Sequence, residues 1–198
     1  MAIDQIHDLQ QVYRKLLHSM SRPGTISSMG QESENMDVDC GCANALMLSA
    51  MALLDAEVTF HVLSETRRDL IEKISEYTSA RYAPLQQADF IIVLQEDEDS
   101  KVLEALAQCK IGSLIDPQQS STWIIETPAL SNSGTLLLTG PGIETEAHLS
   151  AGQSTGFWQA RNSRTKEYPM GIDMIFADGS SQIACLPRTV TAIPMEVE

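Results

Sequence analysis

Residues 90–94 read Phe-Ile-Ile-Val-Leu, and residues 95–109 read Gln-Glu-Asp-Glu-Asp-Ser-Lys-Val-Leu-Glu-Ala-Leu-Ala-Gln-Cys. A continuous apolar run of this length is typical of a β-strand that is covered on both faces. The negative charges at 97–99 favour the start of a helix over 100–109, because the helix dipole is positive at its N-terminus. A buried strand followed by a helix is the repeating unit of an α/β sheet.

The segments upstream follow the same scheme. Residues 58–63 are predicted as a strand, and Ser64 as the N-cap of the next helix. The apolar face of that helix carries Leu70, Ile71, Ile74 and Tyr77. Residues 43–54 are apolar nearly all round, which predicts a helix buried between layers and too short to cross a bilayer. Apolar residues recur every three or four positions over 3–20, which predicts an amphipathic helix that ends before Pro23-Gly24.

The remaining segments complete the predicted fold. Residues 29–39 are polar and acidic and are predicted as a mobile loop, whereas 152–166 are predicted as a helix. Residues 122–126 and 135–139 are predicted as an antiparallel strand pair. Residues 172–176 and 182–186 flank Asp178-Gly179-Ser180-Ser181, which predicts a hairpin with a positive-φ glycine. We therefore predict one three-layer α/β/α domain over residues 1–198, with a mixed sheet.

Composition restricts the classes of partner. The chain has 198 residues and carries 13 Lys and Arg against 27 Asp and Glu, a formal net charge of −14. Such a charge disfavours both nucleic acid and an anionic membrane surface. The N-terminus lacks the basic and apolar regions of a signal peptide, so we expect a cytoplasmic protein with reduced cysteines.

No motif of a known catalytic centre is present. The spacing of Cys40-x-Cys42 is too short for a typical zinc pair, no histidine lies near it in the sequence, and we expect no metal site. The chain has no Gly-x-Ser-x-Gly elbow, and its four histidines are scattered along it. We predict no catalytic residue and no cofactor.

Two arginines and a glycine-rich turn are the candidate ligand contacts. Arg22 precedes Pro23-Gly24 and Arg188 follows Pro187, so each lies where an element ends, a common position for ligand contacts. An Arg–phosphate contact contributes about 1.5–3 kcal/mol, so two could hold a small phosphate ester or phosphonate. Gly140 and Gly142, around Pro141, would let the backbone approach such an anion. The alternative is that the arginines pair with carboxylates and the glycines only shape a turn.

Seven segments in order along the chain resemble the PhnH family, a subunit of the bacterial carbon–phosphorus (C–P) lyase machinery. They are Tyr13 to Thr25, Ala45 to Leu48, Leu53 to Asp55, Ala88 to Phe90, Gly140 to Ile143, Tyr168 to Asp173 and Leu186 to Thr189. Each segment alone is a weak signature, but their order and spacing along one chain are specific.

The resemblance implies a fold like that of pyridoxal-phosphate-dependent transferases without the cofactor site. It also implies a homodimer that assembles with the partner subunits PhnG, PhnI and PhnJ. With them and an ATP-binding-cassette-like partner, the family takes part in displacing adenine from ATP by an alkylphosphonate, which yields a ribose 1-phosphonate 5-triphosphate. A radical subunit later breaks the C–P bond. A pyridoxal-phosphate enzyme needs a lysine that forms a Schiff base with the cofactor. None of the lysines of this chain follows a strand in a setting suited to that role, which agrees with the expected absence of the cofactor site.

The favoured hypothesis is an accessory subunit of the C–P lyase core complex that also contacts a phosphonate or nucleotide phosphate. Its candidate binding residues are Arg22, Gly140, Gly142, Asp173 and Arg188, with Asp173 orienting an arginine or a ribose hydroxyl. Two alternatives stay open. One is a free-standing phosphate-ester hydrolase or transferase that uses Asp173 or a histidine, and the other is a purely structural docking dimer.

Overall fold

The computed structural model describes residues 6–37, 39–64 and 66–195. Helices and strands alternate through most of this part of the chain. In chain order they are α1 (His7–Ser21), β1 (Ile26–Ser28), α2 (Gly30–Glu34), α3 (Asn44–Leu53), β2 (Thr59–Val62), α4 (Arg68–Thr78), β3 (Arg81–Tyr82), β4 (Phe90–Val93), α5 (Asp99–Gln108), β5 (Thr122–Thr127), β6 (Ser131–Thr139), β7 (Ala147–Ser150), α6 (Thr155–Arg164), β8 (Asp173–Asp178), β9 (Gln182–Leu186) and β10 (Thr191–Pro194). Among the described residues, no helix combines the length and the apolar character that a membrane crossing requires.

A seven-stranded sheet with the order β1-β9-β8-β5-β4-β2-β3 forms the centre of the molecule. Strands β3, β2, β4, β5 and β8 are parallel to one another. Strand β9 is antiparallel to β8, and β1 is antiparallel to β9. The predicted α/β class with a mixed sheet is therefore confirmed.

Both faces of this sheet are covered, because alternate side chains of its central strands point to opposite sides. On one face, Ile92 and Ile124 pack in a core with α1, α3 and α4. On the other face, Ile91 and Trp123 pack in a core with α5 and α6. A separate three-stranded sheet, β10-β6-β7, contributes to this second core. Helices thus lie on both faces, as predicted, and the small sheet on the second face is an addition that the sequence analysis did not predict.

The predicted antiparallel pairing of residues 122–126 with 135–139 is wrong. Strand β5 lies between β4 and β8 in the large sheet, whereas β6 pairs with β7 and β10 in the small one. Trp123, Ile124 and Ile125 are all fully buried. Burial on both faces is typical of a central parallel strand rather than of a hairpin with one solvent face.

Part of the predicted loop over 29–39 is folded. Helix α2 occupies its first half, and the preceding Met29 is fully buried. Lys15 Nζ of α1 donates to the buried carboxylate of Glu32 at 2.7 Å. A five-residue helix is too short to show apolar periodicity, so tertiary burial and this ion pair stabilise it rather than a local pattern.

Two turn predictions are corrected in detail. Ser64 does not cap α4, because Arg67 occupies the N-cap and the Ser64 hydroxyl lies 3.0 Å from that of Thr66. The β8–β9 hairpin is confirmed, but its left-handed residue is Ser181, with φ +60°, and not Gly179. The Asp178 carboxylate shapes this turn by accepting two backbone N–H groups, at 2.9 and 3.0 Å.

Candidate functional site

Three chain segments meet beside the small sheet: the end of α1, the Gly140-Pro141-Gly142 turn after β6 (the GPG turn), and the segment after β9. A Cβ atom added to Gly142 would lie 2.5 Å from the Ser21 carbonyl oxygen. One added to Gly140 would lie 2.9 Å from the Thr189 carbonyl oxygen. The GPG turn therefore fits between the two segments that carry Arg22 and Arg188 because these positions have no side chain.

The Arg188 guanidinium is held by an ion pair and by carbonyl groups. Nη2 lies 2.5 Å from Asp173 Oδ2, and Nε lies 3.1 Å from the same oxygen. Nη2 also donates to the Ser120 hydroxyl at 2.6 Å, and Nη1 donates to the Pro117 carbonyl at 2.8 Å. A longer contact of 3.5 Å joins Nη1 to the Pro169 carbonyl. The five N–H groups of the guanidinium thus all have an acceptor within the protein.

Asp173 contacts Arg188, which is one of the two partners, an arginine or a ribose hydroxyl, that the sequence analysis gave for this carboxylate. Its Oδ1 also accepts the backbone N–H of Arg188 at 2.7 Å, so one side chain fixes both the backbone and the guanidinium. Of the two alternatives for Arg188, pairing with a carboxylate is the one seen. A ligand that contacts this guanidinium directly has to replace a hydrogen bond, and the 3.5 Å contact of Nη1 is the weakest.

Arg22 lies apart from this ion pair. Its side chain is exposed, and its Nη1 lies 3.1 Å from Nδ1 of His18, one turn earlier on α1. The structure therefore brings the backbone around Arg22 to the GPG turn. It does not bring the Arg22 guanidinium into the Arg188–Asp173 pair.

A buried arginine that the sequence analysis missed supports the same segment. Arg161 on α6 is fully buried, and its guanidinium donates to the carbonyls of Val190 at 2.5 Å and Pro187 at 2.7 Å. Burial lowers the pKa of Arg161 to about 10, and the negative charge of Asp173 opposes this shift. The sequence gives one indication that Arg161 is buried. Arg161 lies four residues after Phe157 and therefore on the same inner face of α6, where an arginine is unusual.

A cavity of about 470 Å³ opens beside these segments. Its lining residues are Pro141, Asn162, Thr165, Lys166, Tyr168, Arg188, Thr189, Val190 and Thr191. The lining contains two cationic side chains and hydroxyl and amide donors, but no carboxylate, although the net charge of the chain is −14. The Asn162 amide donates to the Ala192 carbonyl at 2.5 Å, whereas the Lys166 ammonium and the hydroxyls of Tyr168, Thr189 and Thr191 are donors suited to a phosphate or phosphonate group.

The cysteines do not form a candidate centre. All four are free thiols, and Cys40 and Cys42 lie in the loop before α3. Within the part of the chain that the structure describes, no three His, Cys, Asp or Glu side chains lie close enough together to hold a metal ion. Burial raises the pKa of the Cys42 thiol to about 12.

We expect Cys42 to react slowly with disulfide reagents such as 5,5′-dithiobis(2-nitrobenzoate) in the folded protein. At pH 8 a pKa of about 12 lowers the thiolate fraction about 2,000-fold relative to an unfolded-chain cysteine with a pKa of about 8.5. Because a more basic thiolate is also a better nucleophile, we expect the reaction to be slower by about 100-fold. The reaction is followed by absorbance with and without urea, and the Cys42→Ser variant assigns the signal. An equally fast reaction of Cys42 in the folded and unfolded chains would contradict this expectation.

Comparison with known proteins agrees with the resemblance seen in the sequence. A family model described as "Bacterial phosphonate metabolism protein (PhnH)" matches residues 2–193. A relative from Stutzerimonas stutzeri, named as a C-P lyase subunit protein, HtxG, is 28% identical over 181 residues, which cover 91% of this chain and 83% of the relative. A relative from Rhizobium meliloti, named alpha-D-ribose 1-methylphosphonate 5-triphosphate synthase subunit PhnH, is 23% identical over 188 residues, which cover 94% and 90% of the two chains.

The family match includes every segment that carries the resemblance. It also includes the Arg188–Asp173 pair, the GPG turn and Arg161. Because the match extends over nearly the whole sequence, the chain belongs to the PhnH family of bacterial phosphonate metabolism proteins.

Proposed function

We propose that this chain is an accessory subunit of a C–P lyase complex. In this role it contributes to the transfer of an alkylphosphonate onto the ribose of ATP with release of adenine. The names of the two relatives support the proposal, since one is a C-P lyase subunit and the other a ribose 1-methylphosphonate 5-triphosphate synthase subunit. A homodimer, the partner subunits PhnG, PhnI and PhnJ, a cytoplasmic location and a fold related to pyridoxal-phosphate-dependent transferases belong to the same proposal.

Within this role, the cavity beside the GPG turn holds a phosphonate or phosphate anion. The observation that carries this part is the lining, which contains Lys166 and Arg188 and no carboxylate. Gly140 and Gly142 allow the close packing that places Pro141 in the cavity wall, and Asp173 positions Arg188. Arg22 does not line the cavity. It could therefore contact an anion only if the ligand extends beyond the cavity or if a second anion binds outside it.

The geometry gives less support to a free-standing enzyme. Asp173 is occupied by Arg188, which makes it a poor nucleophile or base. Three of the histidines lie beside groups that are not nucleophiles, so none of the three is placed as the base of a nucleophile–base pair. His18 lies by Arg22, His61 Nδ1 lies 3.0 Å from the Ala83 carbonyl, and His148 lies 3.8 Å from Glu146.

Deletion of the gene in a phosphonate-using bacterium tests the proposal. We expect the deleted strain to grow on inorganic phosphate but not on methylphosphonate, and the wild-type gene to restore growth. The Lys166→Glu variant, which reverses a cavity charge, should restore growth poorly, whereas Lys101→Glu on α5 serves as the control. Growth of the deleted strain on methylphosphonate contradicts the subunit role. Full growth with Lys166→Glu favours the purely structural dimer, and turnover by the purified chain alone favours the free-standing enzyme.

A further inference from the structure

Helix α1 presents two parallel rows of side chains to solvent. An apolar row contains Tyr13 and Leu17, which are 48% and 57% exposed. A basic row contains Arg14, His18 and Arg22, which are all exposed and follow one another at intervals of four residues. Residues four apart on a helix lie on the same face, so each row runs along the helix axis.

The apolar row borders a groove. This groove has a volume of about 280 Å³ and lies between α1, the end of α3 and the amino ends of the central strands. Its lining is mostly apolar and includes Tyr13, Leu17, Met20, Leu53, Phe90 and Pro187. Among the described residues, the one carboxylate in the lining is that of Asp173, which pairs with Arg188. Exposed aromatic and aliphatic side chains grouped around a concave apolar surface are typical of an interaction site.

The charge of α1 is opposite to that of the molecule. The exposed residues of α1 are His7, Gln10, Gln11, Tyr13, Arg14, Leu17, His18 and Ser21, and none of them is acidic. Lys15 is excluded from the basic row, because its ammonium pairs with Glu32. The basic row is thus a local positive surface on a chain whose net charge is −14. A partner that matches this surface carries carboxylates next to apolar side chains.

We propose that the α1 groove binds an amphipathic helix of a partner subunit. Its apolar side chains enter the groove, and its carboxylates pair with Arg14 and Arg22. The distance along α1 from Arg14 to Arg22 is about 12 Å at 1.5 Å per residue, which corresponds to two or three turns of a partner helix. An anionic membrane is a poorer match, because the rest of the molecule would be repelled by it. This inference rests on the proposed function, since the partner is a subunit of the same complex.

Two variants of the full-length chain test the two rows. Leu17→Asp places a charge in the apolar row, and the double variant Arg14→Glu/Arg22→Glu reverses the basic row. Matched controls are Ile115→Asp, at a residue that is 88% exposed and does not line the groove, and Arg68→Glu, at an exposed arginine of α4. Each tagged chain replaces the wild type in the deletion strain, and affinity for the co-expressed PhnG, PhnI and PhnJ subunits is measured.

We expect Leu17→Asp to weaken binding about 30-fold or more, as for a central interface residue. The double variant should weaken binding about 10-fold and reduce its dependence on salt. Both controls should bind within about 2-fold of the wild type. Urea unfolding shows whether each variant is folded, and if Leu17→Asp is not, the double variant decides the question.

Four outcomes overturn the inference. Wild-type binding by folded α1 variants leaves the subunit role intact but shows that this groove is not the docking surface. Conversion of a homodimer into a monomer by Leu17→Asp, with the complex still formed, shows that a second copy occupies the groove. Binding to phosphatidylglycerol vesicles that Leu17→Asp abolishes, with the complex unaffected, shows a membrane contact. Failure of the wild-type chain to bind any of the subunits overturns the proposed function itself.

Discussion

Replacing Gly142 with alanine is expected to lower the free energy of unfolding by about 2–4 kcal/mol. Gly142 has φ +86°, a conformation that costs an L-residue about 1–2 kcal/mol. In addition, the new Cβ would lie 2.5 Å from the Ser21 carbonyl oxygen and 2.9 Å from Pro23 Cδ. The first of these atoms is backbone, so the end of α1 and the GPG turn have to separate.

Equilibrium unfolding in urea measures this effect, and Gly179→Ala is the matched control. Gly179 also lies in a turn, but a Cβ there would meet no atom within 4 Å. We therefore expect the control to change stability by no more than about 0.5 kcal/mol. An unchanged urea midpoint for Gly142→Ala would show that the GPG turn is not packed against α1 as described.

Removing the charge of Asp173 should lower the free energy of unfolding by about 2–4 kcal/mol. The Arg188 and Asp173 side chains are only 16% and 22% exposed, and breaking a pair of this kind leaves a cation without its counter-charge. The cost is larger because buried Arg161 also feels the charge of Asp173. Asp173→Asn keeps the shape of the side chain, but it removes the charge and replaces one acceptor oxygen by an amide donor, so its urea midpoint reports the loss of the ion pair together with its hydrogen bonds.

A double-mutant cycle separates the pair from other effects of these substitutions. We expect Asp173→Asn combined with Arg188→Met to lower the free energy of unfolding clearly less than the sum of the single variants, because each single variant leaves one charge of the pair alone and the double variant leaves neither. Glu146→Gln is the control, since Glu146 is 58% exposed and lies 3.8 Å from His148, and its change should stay within about 0.5 kcal/mol. If the loss of stability in the double variant equals the sum of the losses in the two single variants, the Asp173–Arg188 pair does not stabilise the fold.

The central α/β unit could be predicted from the sequence because its signals are local. The apolar run at 90–94, the nearly all-apolar stretch at 43–54 and the β8–β9 turn correspond to β4, α3 and the observed hairpin. The helix predicted over 3–20 corresponds to α1, although Ile3 lies outside the described residues. Each of these elements is decided by patterns within about 20 residues.

The remaining elements depend on contacts between residues far apart in the chain. Strand β1 pairs with β9, more than 150 residues later, and β10 joins β6 across the GPG turn and α6. Neither short strand has a strong pattern of its own. The sequence analysis therefore missed β1 and β10 as well as β7 and the separate small sheet, and it paired residues 122–126 with the wrong partner.

The candidate site was predictable in its parts but not in its assembly. Proline and glycine marked Gly140, Gly142 and Arg188 as residues at element ends, and the structure places these three together. Which carboxylate pairs with Arg188 depends on the register of β8 and β9, and the sequence does not show this directly. Arg161 was missed because no local motif marks an arginine that donates to carbonyls of a segment about 26 residues later.

Isolation of the tagged chain from cells that use methylphosphonate as their phosphorus source tests the subunit role most directly. We predict that the chain is recovered with PhnG, PhnI and PhnJ in a fixed ratio, as measured by size-exclusion chromatography and mass spectrometry. A monomer recovered without companions from such cells would contradict it.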